Sequence, residues 1–169
     1  MAAKRRQSRV IFSSEITYPF PGTKNMSEIR LRGVAVSKGV FEGEAIVSRT
    51  SFGFYRAVDA ETGIVRDRRN ELFGKKISGK VLVFPEGRGS TSGAMMIAEL
   101  GRMGTHFGAI INRTSEPIIT CGILLARLFY NRAIPAVHRL ERDPVEIIET
   151  GDIVLVNGDS GEVVVKKRS

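Results

Sequence analysis

The chain has 169 residues, 42% of them hydrophobic, which suits one soluble globular domain with its own core. Its formal charge of +8 invites a nucleic-acid reading, yet Lys4, Arg5, Arg6, Arg9, Lys24 and the tail Lys166, Lys167, Arg168 carry most of it, whereas a nucleic-acid module concentrates basic residues on one folded face. The single Cys121 excludes an internal disulfide and cannot alone hold zinc or an iron–sulfur cluster, and no stretch nears the ~18 apolar residues of a membrane span, so the reading is a cytosolic protein binding neither nucleic acid nor membrane.

Residues 1–27 mix basic, hydroxyl and turn residues, with Pro19, Pro21 and Gly22 breaking any periodicity. They predict a flexible basic extension ahead of a domain at 28–169, with Met26 as an alternative start. From Ile29 to Ser48, alternating stretches separated by Gly39 and Gly43 predict short strands of a sheet or small barrel. Residues 51–79 are polar and punctuated by glycine. Asp59 to Gly63 reads as a turn, and the run Arg66, Asp67, Arg68, Arg69 as a solvated loop.

The most ordered grammar follows. A strand at 80–84, a helix from about 92 to 103, a strand at Ala109–Asn112, a helix from about 116 to 130 and a short strand at Ala136 and Val137 make a β-α-β-α-β succession, which implies parallel pairing. In the second helix Ser115 suits the cap, Glu116 the first turn, and Pro117 an early position whose amide has no partner. Its nearly continuous apolar text, from Ile118 through Phe129, predicts burial against the sheet. The chain closes on a hairpin, Ile153–Val156 and Glu162–Val165 around Asn157 to Gly161. The fold class is α/β: a β/β/α swivel arrangement, with a small β-barrel or sheet packed on the parallel β-α-β-α-β unit.

The functional candidates sit where the strand ending at Phe84 meets the first helix, in Gly87-Arg88-Gly89-Ser90-Thr91-Ser92-Gly93. A helix start leaves amides unpaired and favours anions. Capping needs one hydroxyl, and Ser92 suffices for it. Ser90 and Thr91, with Arg88 between glycines, exceed that need and point to an anion-binding or catalytic role. The turn is not a P-loop, because no Gly-Lys-Ser/Thr follows, and Ser90 lacks the Gly-x-Ser-x-Gly frame of a hydrolase nucleophile. His106 and His138 have no acidic partner at ligand spacing and read as structural or surface residues. Cys121 reads as a small core residue.

The runs Gly79 to Pro85, Gly87 to Thr91, Glu116-Pro117-Ile118 leading to Gly122, Ile134-Pro135-Ala136-Val137 and Gly151-Asp152-Ile153-Val154 resemble the aconitase X swivel domain over about residues 29–165. In archaea that domain is the separate small subunit of phosphomevalonate dehydratase. In many bacteria it belongs, fused or separate, to cis-3-hydroxy-L-proline dehydratases. The resemblance implies a hydro-lyase of two subunits acting on a hydroxy carboxylic acid such as mevalonate 5-phosphate or cis-3-hydroxy-L-proline. It implies Ser90 as the catalytic proton-transfer residue, and a large partner subunit that carries an iron–sulfur cluster through its own cysteines. Beside that serine, Arg88, Gly89 and Thr91 are the substrate-binding candidates.

The chain departs from the family in reading Arg56-Ala57-Val58-Asp59 where many members have Gly-Gly-Val-Asp, and Thr105-His106-Phe107-Gly108 where a Thr-Ala-Pro segment is common. Two other readings share the scaffold. One is the phosphohistidine swivel domain of phosphoenolpyruvate-using transferases, which needs a histidine at the glycine-rich turn. The other is a noncatalytic binding module.

Overall fold

The computed structural model describes residues 27–168, so the extension expected over 1–27 lies outside the described residues apart from Ser27. The elements in chain order are β1 (Glu28–Arg32), β2 (Val34–Ser37), β3 (Val40–Val47), β4 (Val81–Glu86), α1 (Thr91–Met103), β5 (Ala109–Thr114), α2 (Pro117–Tyr130), β6 (Ala136–His138), α3 (Pro144–Ile147), β7 (Ile153–Asn157) and β8 (Glu162–Lys166). No helix among these residues is long and apolar enough to cross a membrane.

The strands join in the order β1-β8-β7-β3-β4-β5-β6-β2. Those from β3 to β6 pair in parallel, as two successive strand–helix–strand crossovers require, and the rest pair antiparallel. β1 and β2 stand at opposite edges of the sheet, yet only Gly33 separates them in the chain. The sheet must therefore roll until its edges meet. At that seam the Gly33 amide donates to the Gly161 carbonyl at 2.9 Å. The barrel and the parallel unit are thus one rolled sheet, and β3 belongs to both parts. Its Val40–Glu44 stretch pairs antiparallel with β7, and its Ala45–Val47 stretch pairs parallel with β4.

Strand alternation sends side chains to two cores. Val81 and Val83 of β4 and Ala109 and Ile111 of β5 point into the roll, where they meet Phe41, Val154 and Val163. Leu82, Phe84 and Ile110 point outward and are covered by Ile97 and Leu100 of α1 and Ile119 and Ile123 of α2. Both faces of the parallel strands are thereby dry, which is why β4 reads as an unbroken apolar run. Each fully buried Leu, Ile or Phe contributes roughly 1.5–3 kcal/mol.

Two expectations for α2 are corrected. Ser115 does not cap it: Glu116 is the N-cap, and Ser115 instead donates its hydroxyl to Asn112 Oδ1 at 2.8 Å and its amide to His138 Nδ1 at 2.9 Å. Pro117 explains the shift, because a residue preceding proline is driven out of the helical region, and Glu116 accordingly sits at φ −108°, ψ 160°. Nor is the helix buried all round. Ile119, Gly122, Ile123 and Ala126 face inward, while Leu124, Leu128 and Phe129 are 51%, 68% and 70% exposed. Cys121 is exposed with them rather than in the core. A helix lying on a sheet beside a neighbouring helix can bury only part of its circumference, whatever its composition.

His106 lies beyond the C-terminal end of α1, half-buried, with Nδ1 2.7 Å from the Phe107 carbonyl. Burial lowers its pKa, and the charge of Arg132 acts in the same direction, against the opposing hydrogen bond. Just below the ordinary histidine value of about 6.5 the unfolded chain then binds more protons than the folded one. The stability due to this residue is complete above that value and declines as pH falls below it. Replacing His106 by Gln is expected to flatten the loss of unfolding free energy between about pH 7 and 5, measured by urea titration at each pH.

Candidate active site

The β4–α1 corner is assembled from three segments. β4 delivers the chain at Glu86, and Gly87 follows against the start of α2, where a Cβ would lie 2.2 Å from Glu116 Oε1 and 2.9 Å from Ile119 Cδ1. A larger residue there would have to displace the ends of those two side chains. Gly89 has open space around it but takes φ 132°, a conformation costly for other residues, and so turns the chain into α1.

Ser90 is the N-cap of α1 at φ −127°, ψ −172°, with its carbonyl accepting from the Gly93 amide at 2.7 Å. Its side chain makes no capping hydrogen bond. The helix therefore begins one residue earlier than expected, and the cap is the backbone of Ser90 rather than the hydroxyl of Ser92. Extended geometry at Ser90 is what starts the helix at Thr91. The exposed Ser90 hydroxyl is left uncommitted beside the Thr91 and Ser92 amides, which at a helix start have no carbonyl of a preceding turn to donate to.

The third segment is the loop 51–79. Phe52 pairs with the corner like a short parallel strand: its amide donates to Glu86 O and its carbonyl accepts from the Arg88 amide, both at 3.0 Å. Behind it Phe52, Phe54, Phe84 and Phe107 pack ring against ring, with centroids 5.1 Å apart for Phe52–Phe54 and 5.7 Å for Phe54–Phe107. This aromatic cluster holds the loop over the corner.

Between them lies an open cleft of about 550 Å³ whose wall includes Ser90, Gly89, Arg88, Arg56, Arg66 and Arg68. Asp67 is the one acid in its lining, and it is ion-paired with Arg88. The loop read as solvated from Arg66 to Arg69 has its arginines exposed, but two of them line the same cleft as the serine. Sequence reasoning placed Ser90, Arg88 and Gly89 together, and the structure places them on one wall; Thr91 opens α1 beside them. It missed Arg56, Arg66 and Arg68. The available signal was Phe52-Gly53-Phe54, an alternating pair of aromatics next to charged text, which marks a segment that docks rather than one that floats.

The remaining titratable candidates lie elsewhere. His106 is separated from Ser90 by the length of α1, 13 residues or about 20 Å. The glycine-rich turn therefore has no histidine at the place where a phosphohistidine domain requires one. His138 accepts the Ser115 amide and positions the start of α2; burial and Arg139 lower its pKa. Asp59 is held below the ordinary carboxylate range by the Thr62 hydroxyl and amide, then by Arg66. Among the described residues no group of three or more His, Cys, Asp or Glu could hold a metal ion, and Cys121 lies on the outer side of α2.

The model of the aconitase X swivel domain matches residues 30–165. A protein of Methanosarcina mazei named phosphomevalonate dehydratase small subunit is 41% identical over 143 residues, covering 85% of this chain and 95% of that protein. A protein of the same name from Methanocaldococcus jannaschii is 40% identical, covering 80% and 96%. Among solved structures, Thermococcus kodakaraensis aconitase X in its holo form superposes with a TM-score of 0.74 at 37% identity, covering 82% of this chain and 99% of that one. The rolled sheet, the Gly-Arg-Gly-Ser-Thr corner that follows its parallel strand β4 and these matches over most of the length together establish that the chain belongs to the aconitase X swivel-domain family.

Proposed function

We propose that this chain is the serine-bearing small subunit of a two-subunit dehydratase acting on mevalonate 5-phosphate. The observation that carries the reading is the Ser90 hydroxyl, which stands at a helix N-terminus in an arginine-rich cleft and is not used for capping. The substrate assignment is supported by the names of the relatives and by the charge of the cleft, where four arginines meet one acid. A zwitterion such as cis-3-hydroxy-L-proline asks for far less positive charge than a carboxylate joined to a phosphate.

Dehydration of a 3-hydroxy acid breaks a C–H bond next to the carboxylate and the C–O bond beyond it, forms a double bond between the two carbons and releases water. In this reading Ser90 Oγ moves the proton of the C–H bond. A serine is a weak base unless negative charge on it is stabilised, and in this reading the first-turn amides of α1 and the guanidinium of Arg88 do so, or hold the substrate carboxylate. Arg88 retains donors for this beyond its bond to Asp67, since a guanidinium carries five.

The partner is a large subunit carrying the iron–sulfur cluster, a group that supplies Lewis-acid chemistry when bound. Two features support a partner of some size: Ser90 is exposed, so another surface must close the site, and the outer face of α2 presents Leu124, Leu128 and Phe129 to solvent. The test is to purify the chain from its native cell with whatever subunit accompanies it, determine iron, and follow water loss from each substrate. Turnover of mevalonate 5-phosphate well above that of cis-3-hydroxy-L-proline is the expected result. The reverse preference, or no dehydration by an iron-containing complex, would overturn the assignment.

A further inference from the structure

The four arginines of the Ser90 cleft differ in what holds them. Arg88 is ion-paired with Asp67, and Arg66 with Asp59 at 3.2 Å. Arg56 and Arg68 have no carboxylate partner among the described residues. Each rests instead on an aromatic ring: the Arg56 guanidinium lies 5.4 Å from the centroid of Tyr55, and that of Arg68 lies 5.8 Å from the centroid of Phe73. Stacking occupies the face of a guanidinium and leaves its rim of N–H donors free. Both side chains are therefore positioned without being neutralised.

The backbone of Arg56 is held in a turn. It sits at φ 58°, in the left-handed region that disfavours residues with a Cβ. A turn sets this conformation: the Ala57 amide donates to the Phe54 carbonyl at 3.1 Å, and Arg56 is the third residue of that turn, where some turn types require a positive φ. Arg56 is exposed, and its side chain makes no hydrogen bond or ion pair among the described residues. The turn therefore fixes the backbone of Arg56 at the wall of the cleft, with its side chain exposed there.

We propose that Arg56 and Arg68 form a second anion subsite of this cleft, which takes the phosphate monoester of a substrate whose carboxylate lies at Arg88 and the Ser90 corner. The assignment deepens the dehydratase reading and rests on it for the identity of the substrate. Planar guanidinium forks match phosphate oxygens through paired charge-assisted hydrogen bonds. Asp67, the acid of the cleft lining, and Asp59, the partner of Arg66, are already engaged by Arg88 and Arg66, so they leave an anion there little to oppose it.

The subsite is decided on the full chain alone, by titrating inorganic phosphate at constant ionic strength and following the cleft amides and arginine side chains by NMR. Phosphate should shift these resonances in the wild type, and Arg56→Gly should weaken that binding about 10-fold or more. Because glycine accepts the left-handed backbone, the Tm of Arg56→Gly should stay level or rise by up to about 4 °C. Arg56→Lys should retain part of the affinity. In the two-subunit complex Arg56→Gly should raise KM for mevalonate 5-phosphate by a larger factor than it lowers kcat. A wild type that does not bind phosphate, an affinity unchanged in both Arg56→Gly and Arg68→Ala, or a loss of affinity that comes with a falling Tm would overturn the subsite. A complex that is inactive on mevalonate 5-phosphate, or indifferent to replacement of Ser90, would instead defeat the dehydratase reading, and the phosphate titration would still stand by itself.

Discussion

Replacing Ser90 by Ala is expected to lower kcat of the two-subunit enzyme by about 10²–10⁴-fold, the usual contribution of a positioned proton-transfer group. Stability should hardly move. A serine N-cap normally contributes on the order of 1 kcal/mol through its side-chain oxygen, but the Ser90 hydroxyl makes no such bond, and the helix start is supported by the Ser90 carbonyl accepting from Gly93. The variant should therefore unfold within about 0.5 kcal/mol of the wild type and assemble with its partner as before. This separation of activity from stability is what distinguishes a catalytic serine from a cap. Retained turnover would remove Ser90 from the chemistry. A stability loss of about 1 kcal/mol or more with turnover intact would return it to capping.

The largest loss of stability is expected at Phe54. Its ring is 2% exposed and packs edge-on against Phe52 and Phe84, with centroids 5.1 Å and 6.2 Å away. Phe54→Ala should cost about 3–5 kcal/mol, combining the lost transfer of the ring with the cavity left behind. Against a total of ~5–15 kcal/mol for a domain, that is a severe change. It should be read from denaturant unfolding of the full chain. Tyr55→Ala, one position along and 53% exposed, is the control and should change stability by less than about 0.5 kcal/mol. The contrast follows from strand-like alternation in the loop, which turns Phe54 into the core and Tyr55 toward the arginines. A loss at Phe54 no larger than at Tyr55 would mean that the aromatic cluster does not anchor the cleft wall.

The same alternation explains what was legible beforehand. Strand β4, helix α1, strand β5, helix α2 and the terminal hairpin all follow from local text: apolar runs bounded by glycine and proline, Pro117 at a helix start, and the five-residue turn from Asn157 to Gly161. Two errors at helix starts were also local. Ser115 looked like a cap until the preference imposed on Glu116 by Pro117 is taken into account, and Ser92 looked like one because hydroxyl residues are adjacent there and only backbone conformation tells them apart. The burial of α2 was a different kind of error. Apolar composition says that a surface can be covered, and the placement of α1 and the sheet decides which side is covered.

By itself, then, the sequence determined the order and kind of the main elements, though not the short helix α3, together with the parallel β-α-β-α-β core and the Ser90 corner, because each of these depends on contacts within a few residues or on a repeating period. Three things were decided only by the tertiary structure. The sheet rolls because β1 and β2, neighbours in the chain, occupy its opposite edges. The outer side of α2 stays apolar and uncovered. The loop 51–79 lies over Ser90 and turns a charged run into the wall of a cleft. The last depends on Phe52 and Phe54 meeting Phe84 and Phe107, residues about 30 to 55 positions further along the chain, and a contact at that separation leaves no period in the local text from which it could be read.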